Sequence, residues 1–158
     1  MILLLALSAT LAGHASAAGK GIELRSEVGG PVVEKIRSGK CVVEGRRPHR
    51  EFAMFGYSSD RTYELVLTVL DWTGFDDTYL FVNGSRRPGT FHLFNRAAGT
   101  EFSNSFPFPP SPVDSPAGGV RFHHHGATMT VNLVGHNEAA SDGVYLRGSV
   151  KCAKPRRK

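Results

Sequence analysis

The sequence predicts an all-β protein, an antiparallel β-sandwich in one domain closed by a single disulfide; a small closed barrel is the alternative. Three observations carry this. Apolar residues after position 30 recur with period two and not 3.6, the spacing of strands. Turn residues cut the chain at close intervals, and no amphipathic helix interrupts them. The chain holds only two cysteines, Cys41 and Cys152, one early in the expected domain and one almost at its end.

The apolar opening, MILLLALSATLAGHASA, reads as a signal peptide over residues 1–17. It is shorter than the roughly 20 apolar residues that span a bilayer as a helix. Ala15-Ser16-Ala17 fits a small-x-small cleavage site, so the cut is expected after Ala17. The first charge is Lys20 rather than a residue at the very start, which raises the question whether Met1 is the true start. No other segment is long and apolar enough to cross a membrane as a helix. In an exported chain, two cysteines are most simply one disulfide.

Residues 18–153 are expected to form the domain. Cys41 and Val43 share one face of the first clear strand. Further strands are expected over 50–55, 63–70, Thr78–Val82, 90–94, 120–124, 128–133 and 144–152. In the strand at 63–70 both faces are largely apolar, which predicts a central position. Residues 32–36 read as a helical turn or an edge strand. Asn83-Gly84 predicts a hairpin after Thr78–Val82, and Asp142-Gly143 opens the last strand in the same way. The proline-rich FPFPPSPVDSP, residues 106–116, is expected to be a crossing loop, because proline donates no backbone hydrogen bond.

The net charge is +5, but four positive charges lie in the KPRRK tail, residues 154–158, so the body carries about +1. A solvated, disordered tail is expected. No stripe of aromatics interleaved with basic residues marks a specific nucleic-acid surface.

Candidate sites are few. Trp72, Phe75 and Tyr79 cluster around one loop and would suit contact with a sugar ring or a protein partner. His123 and His125 share one side of a strand, and His136 or Asp142 would complete a zinc or copper site. Asp71, Asp76 and Asp77 lack the alternating spacing of a calcium loop. No G-x-S-x-G and no H-E-x-x-H motif is present, and paired cysteines supply no nucleophile. No catalytic residue is assigned.

The segments SGKCVVEG and VYLRGSVKC, each a strand carrying a cysteine at one end of a β domain, resemble the mycobacterial surface lipoprotein antigens. The resemblance implies an exported, envelope-associated β protein with Cys41 paired to Cys152 and no enzymatic activity. His14 stands where that family carries its lipid-bearing cysteine, so no lipid anchor is expected. The reading is therefore a secreted, periplasmic or envelope protein that binds an envelope protein, a glycan or an apolar small molecule. A metal-binding exported protein and a small extracellular hydrolase are the alternatives.

Overall fold

The computed structural model describes residues 21–26, 29–82, 89–106, 116–124, 127–139, 141–152 and 156–157. Among them there is no helix. Eleven strands follow in order: β1 Gly21–Arg25, β2 Glu34–Glu44, β3 Glu51–Ser58, β4 Tyr63–Val69, β5 Thr78–Val82, β6 Gly89–Asn95, β7 Thr100–Ser103, β8 Pro116–His123, β9 Thr128–Asn137, β10 Gly143–Lys151 and β11 Arg156–Arg157.

The strands form one closed barrel, not two packed sheets. Nine of them make the ring β1-β10-β9-β8-β5-β6-β4-β3-β2, and β1 closes it by pairing with both β10 and β2. The sandwich expectation is corrected here. Alternating strands bury one face equally well in a sandwich or a barrel. Only the two long-range pairings of β1 separate the two, and local periodicity carries no trace of them. An odd ring cannot be antiparallel throughout. Its one parallel contact is β5 against β6, at Phe81 and Gly89.

That contact also corrects the hairpin expected at Asn83-Gly84. β5 pairs in antiparallel fashion with β8, not with the next strand in sequence. Residues 83–88 themselves lie outside the described residues, as do the leader and residues 107–115. The Asp142-Gly143 turn does join an antiparallel pair, β9 and β10. Residues 32–36 resolve into the start of β2 from Glu34 onward. In the tail, expected to be disordered, Arg156 and Arg157 lie parallel to Val42 and Val43 of β2.

Among the described residues, side chains fill the barrel interior. Inward residues come from every strand of the ring, among them Ile22, Ile36, Phe52, Leu67, Phe81, Phe91, Phe122, Val131 and Leu146, all fully buried. Two inward glycines make room for rings. A Cβ on Gly89 would sit 2.2 Å from the Phe81 ring, and one on Gly135 would sit 2.3 Å from the Phe91 ring. Such large-against-small pairing fills a closed barrel.

Cys41 and Cys152 are joined, with Cα atoms 5.6 Å apart across 111 positions of sequence. Their place explains their use. β1 covers β2 only at Glu34–Ile36, and β10 only from Tyr145 to Ser149. Beyond Gly21, the described end of β1, the disulfide spans the same seam directly between β2 and the end of β10. One end of the seam is held by backbone hydrogen bonds and the other by a covalent bridge.

Candidate functional site

Trp72 and Phe75 lie in the connection between β4 and β5, Tyr79 lies on β5 itself, and two of the three turn inward. Trp72 is 5 % exposed and Tyr79 7 % exposed, whereas Phe75 is 55 % exposed. The Phe122 ring centroid lies 4.8 Å from that of Phe52, 5.9 Å from that of Trp72 and 5.6 Å from that of Tyr79. These rings plug one end of the barrel. The Tyr79 hydroxyl accepts a hydrogen bond from the Thr73 N–H at 2.8 Å and faces the Thr73 hydroxyl at 3.2 Å. Arg50 lies over the Trp72 ring at 4.9 Å and Arg47 over the Phe75 ring at 5.4 Å. Only Phe75 of the three presents a face to solvent, and Arg47 covers part of it. The trio is an end plug with one exposed corner.

His123 and His136 do not converge. His123 pairs across to Thr128 at one end of β9, and its Nε2 lies 3.3 Å from the Thr130 hydroxyl. His136 lies eight positions further along β9, opposite Ser103 and Gly143. At the usual rise this separates them by about 26 Å. His125 lies outside the described residues. Among the described residues no three His, Cys, Asp or Glu side chains gather as a metal site. His136 is buried, and burial depresses its pKa below 6.5, opposed by a hydrogen bond to the Asp142 backbone and by the Asp142 charge.

The surface offers a different site, on the outside of β4, β6 and β7. Pairing places Glu64 opposite Phe94 and Phe94 opposite Glu101, so one row across three strands reads carboxylate, ring, carboxylate. All three point outward, since their neighbours Leu65, Leu93 and Phe102 point in. Together with Asn95, Arg96, Gly99 and Thr100 they line an open groove of about 450 Å³.

The groove is held by charge. Glu64 pairs with Arg96, and this hydrogen bond, then the carboxylate's charge, raises the Arg96 pKa. Glu101 meets His92 Nδ1 at 2.5 Å. The His92 ring in turn stacks beside Phe94, with centroids 6.2 Å apart and planes 12° from parallel. Asn95 shapes the turn into β7: its side-chain oxygen accepts from the Ala97 and Ala98 N–H groups, both at 3.1 Å. A flat ring edged by carboxylates, a guanidinium and an amide suits a polyhydroxylated or mixed-polarity partner. Each carboxylate sits against a nitrogen group, not in the apolar pocket that prepares a carboxylic acid to donate a proton.

Sequence reasoning missed this groove. Glu64 reads as a polar position in a strand with two largely apolar faces, Phe94 as a strand end, and β7 went unrecognised. The order β4–β6–β7 that aligns them is a tertiary fact. Comparison with protein-family models, with curated proteins and with solved structures found no match to this chain.

Proposed function

We propose that this is an exported, non-enzymatic β-barrel that binds an envelope partner on its outer wall, at the groove around Phe94. The observation that carries the reading is the packed interior: the inward rings of Phe52, Phe81, Phe91 and Phe122 are fully buried and fill the described lumen, while the groove around Phe94 lies open on the outer wall. A lipocalin-like role of carrying an apolar molecule in the lumen is thereby disfavoured, and recognition passes to the surface. The disulfide supports an oxidising compartment. The signal-like leader and the resemblance of the two cysteine segments to envelope antigens point the same way. Cleavage after Ala17 would leave β1, the strand that closes the ring, intact from Gly21.

The test has two parts. Intact-mass analysis of protein from its native host should give a chain beginning at Ala18 with both cysteines oxidised. An unprocessed amino terminus or two free thiols would overturn the export reading. Amide chemical shifts should then be followed while cello-, xylo-, manno- and arabino-oligosaccharides and a solubilised envelope protein fraction are added in turn. Movement at Phe94, Asn95 and Thr100, lost in Phe94→Ala, supports the groove. Shifts confined elsewhere would refute it, and cleavage of any added oligosaccharide would refute the non-enzymatic assignment.

A further inference from the structure

The outer wall of β8, β9 and β10 has its own chemistry. β10, β9 and β8 are successive neighbours, and their register sets out three outward rows. Arg147, Asn132 and Gly119 form one row. Ser149, Thr130 and Arg121 form the next. Lys151, Thr128 and His123 form the third. The residues between them, Leu146, Val150, Met129, Val131, Val120 and Phe122, are buried in the core, which fixes the direction of the others. On the far side of β8, Thr78 lies opposite Arg121.

No outward position in these rows is a carboxylate. Three fixed cations and one histidine stand among hydroxyl and amide groups, and of the cations Lys151 already has a contact of its own, so the arginines carry the charge of the patch. Arg121 and Arg147 make no ion pair with another described residue. Two carboxylates border the rows: Glu23, opposite Arg147 on β1, which lies 2.8 Å from Arg25 and 3.9 Å from Lys35 and also feels the Arg147 charge, and Asp77, just ahead of β5, whose backbone carbonyl accepts the Phe122 N–H. With outward positions repeating about every 7 Å along a strand and about 5 Å between strands, these cations share a patch roughly 15 Å across. In a body whose charge without the tail is close to neutral, this is a concentrated positive wall.

We propose that the outer wall of β8, β9 and β10 is a second binding site, for an acidic polysaccharide carrying sulfate or carboxylate groups. Arg121, Arg147 and Lys151 meet the anionic groups, and the two arginines can do so with paired N–H donors. Thr128, Thr130, Asn132 and Ser149 supply donors and acceptors for sugar hydroxyls between the charges. A nucleic acid fits less well, because among the described residues the only rings near the charges are His123 in the third row and the half-buried Tyr145 one row beyond Arg147, too few to stack successive bases. A membrane surface fits less well too. Among the described residues the wall has no amphipathic element to insert, and Leu80 on β5 is the one large exposed apolar residue at its border. The site is independent of the Phe94 groove, so either can fail without the other.

Titration calorimetry at 50 mM salt with polygalacturonate, dextran sulfate and neutral dextran tests it. Both anionic polymers should bind and neutral dextran should not. Affinity should fall steeply by 200 mM salt, as counterion release requires. The variant Arg121→Gln/Arg147→Gln/Lys151→Gln should bind about tenfold or more weakly, with an unchanged melting curve because all three positions face outward. Arg121→Lys/Arg147→Lys should keep most of the binding. Arg156→Gln/Arg157→Gln, which neutralises half of the tail, should stay within about twofold. The proposal is overturned if neither anionic polymer binds, if neutral dextran binds equally, or if the tail variant loses the affinity and the wall variant keeps it. Tighter binding to an oligothymidylate or to anionic phospholipid vesicles than to either polysaccharide also overturns it.

Discussion

Asn104 takes the place of a missing strand partner. β6 pairs with β4 along one edge; on the other, β7 ends at Ser103 and β5 touches only Gly89, which leaves that edge between them without a paired strand among the described residues. The Asn104 side chain fills that gap. Its oxygen accepts the Phe91 N–H at 2.8 Å and its nitrogen donates to the Gly89 carbonyl at 3.0 Å, while the Ser103 hydroxyl donates to the Phe91 carbonyl at 2.8 Å. Asn104 is fully buried, so Asn104→Ala strands backbone groups away from water. The expected loss is about 2–4 kcal/mol in urea denaturation, with faster exchange of the Phe91 amide. His136 carries a pH dependence. Its folded pKa lies below 6.5, so below that pH the unfolded chain takes up the proton more readily than the native one. Its contribution is complete above pH 6.5 and is lost as pH falls toward the folded pKa. The urea midpoint should drop between pH 7.5 and pH 5.5 by more in the native sequence than in His136→Gln.

At the scale of elements, the β4–β5 connection is a built part of the core. It turns Trp72 inward against Phe52 and Phe122, beside Tyr79 of β5, and its backbone is tied to the residue just ahead of β3 by the Trp72 N–H, which donates to the Arg50 carbonyl at 2.8 Å. Phe122 is the centre of the plug, in ring contact with Phe52, Trp72 and Tyr79. Phe122→Ala should therefore cost about 3–5 kcal/mol in chemical denaturation, through lost transfer energy and the cavity left behind. Phe75→Ala, at the exposed corner of the same loop, should change stability by less than about 1 kcal/mol. Equal losses for the two would show that the loop does not plug the barrel end.

For the whole molecule, closure of the ring decides stability. The first strand and the last long strand meet at the seam, and the Cys41–Cys152 bridge binds the part of it beyond the described end of β1. A loop of 111 positions places the chain-entropy gain at about 4–5 kcal/mol. Cys41→Ser/Cys152→Ser should lower unfolding free energy by about that amount. Hydrogen exchange should rise first in β1, β2 and β10, next to the seam. A uniform rise across the barrel would mean that the bridge acts on the unfolded chain alone.

The sequence by itself determined the all-β class, most of the strands and the one disulfide. These rest on local information: period-two burial, turn residues, and a cysteine count that allows one pair. β1 and β7 escaped because they are short, and their reason for being strands lies in the partners at their edges. Three matters waited for the tertiary structure. Barrel rather than sandwich depended on β1 reaching both β2 and β10. The parallel β5–β6 contact overrode an Asn-Gly signal that speaks only for neighbours in sequence. Both surface sites are rows read across strands, Glu64–Phe94–Glu101 on one wall and the Arg121, Arg147 and Lys151 set on the other. Such rows join residues tens of positions apart, and strand order, which no local pattern encodes, is what places them side by side.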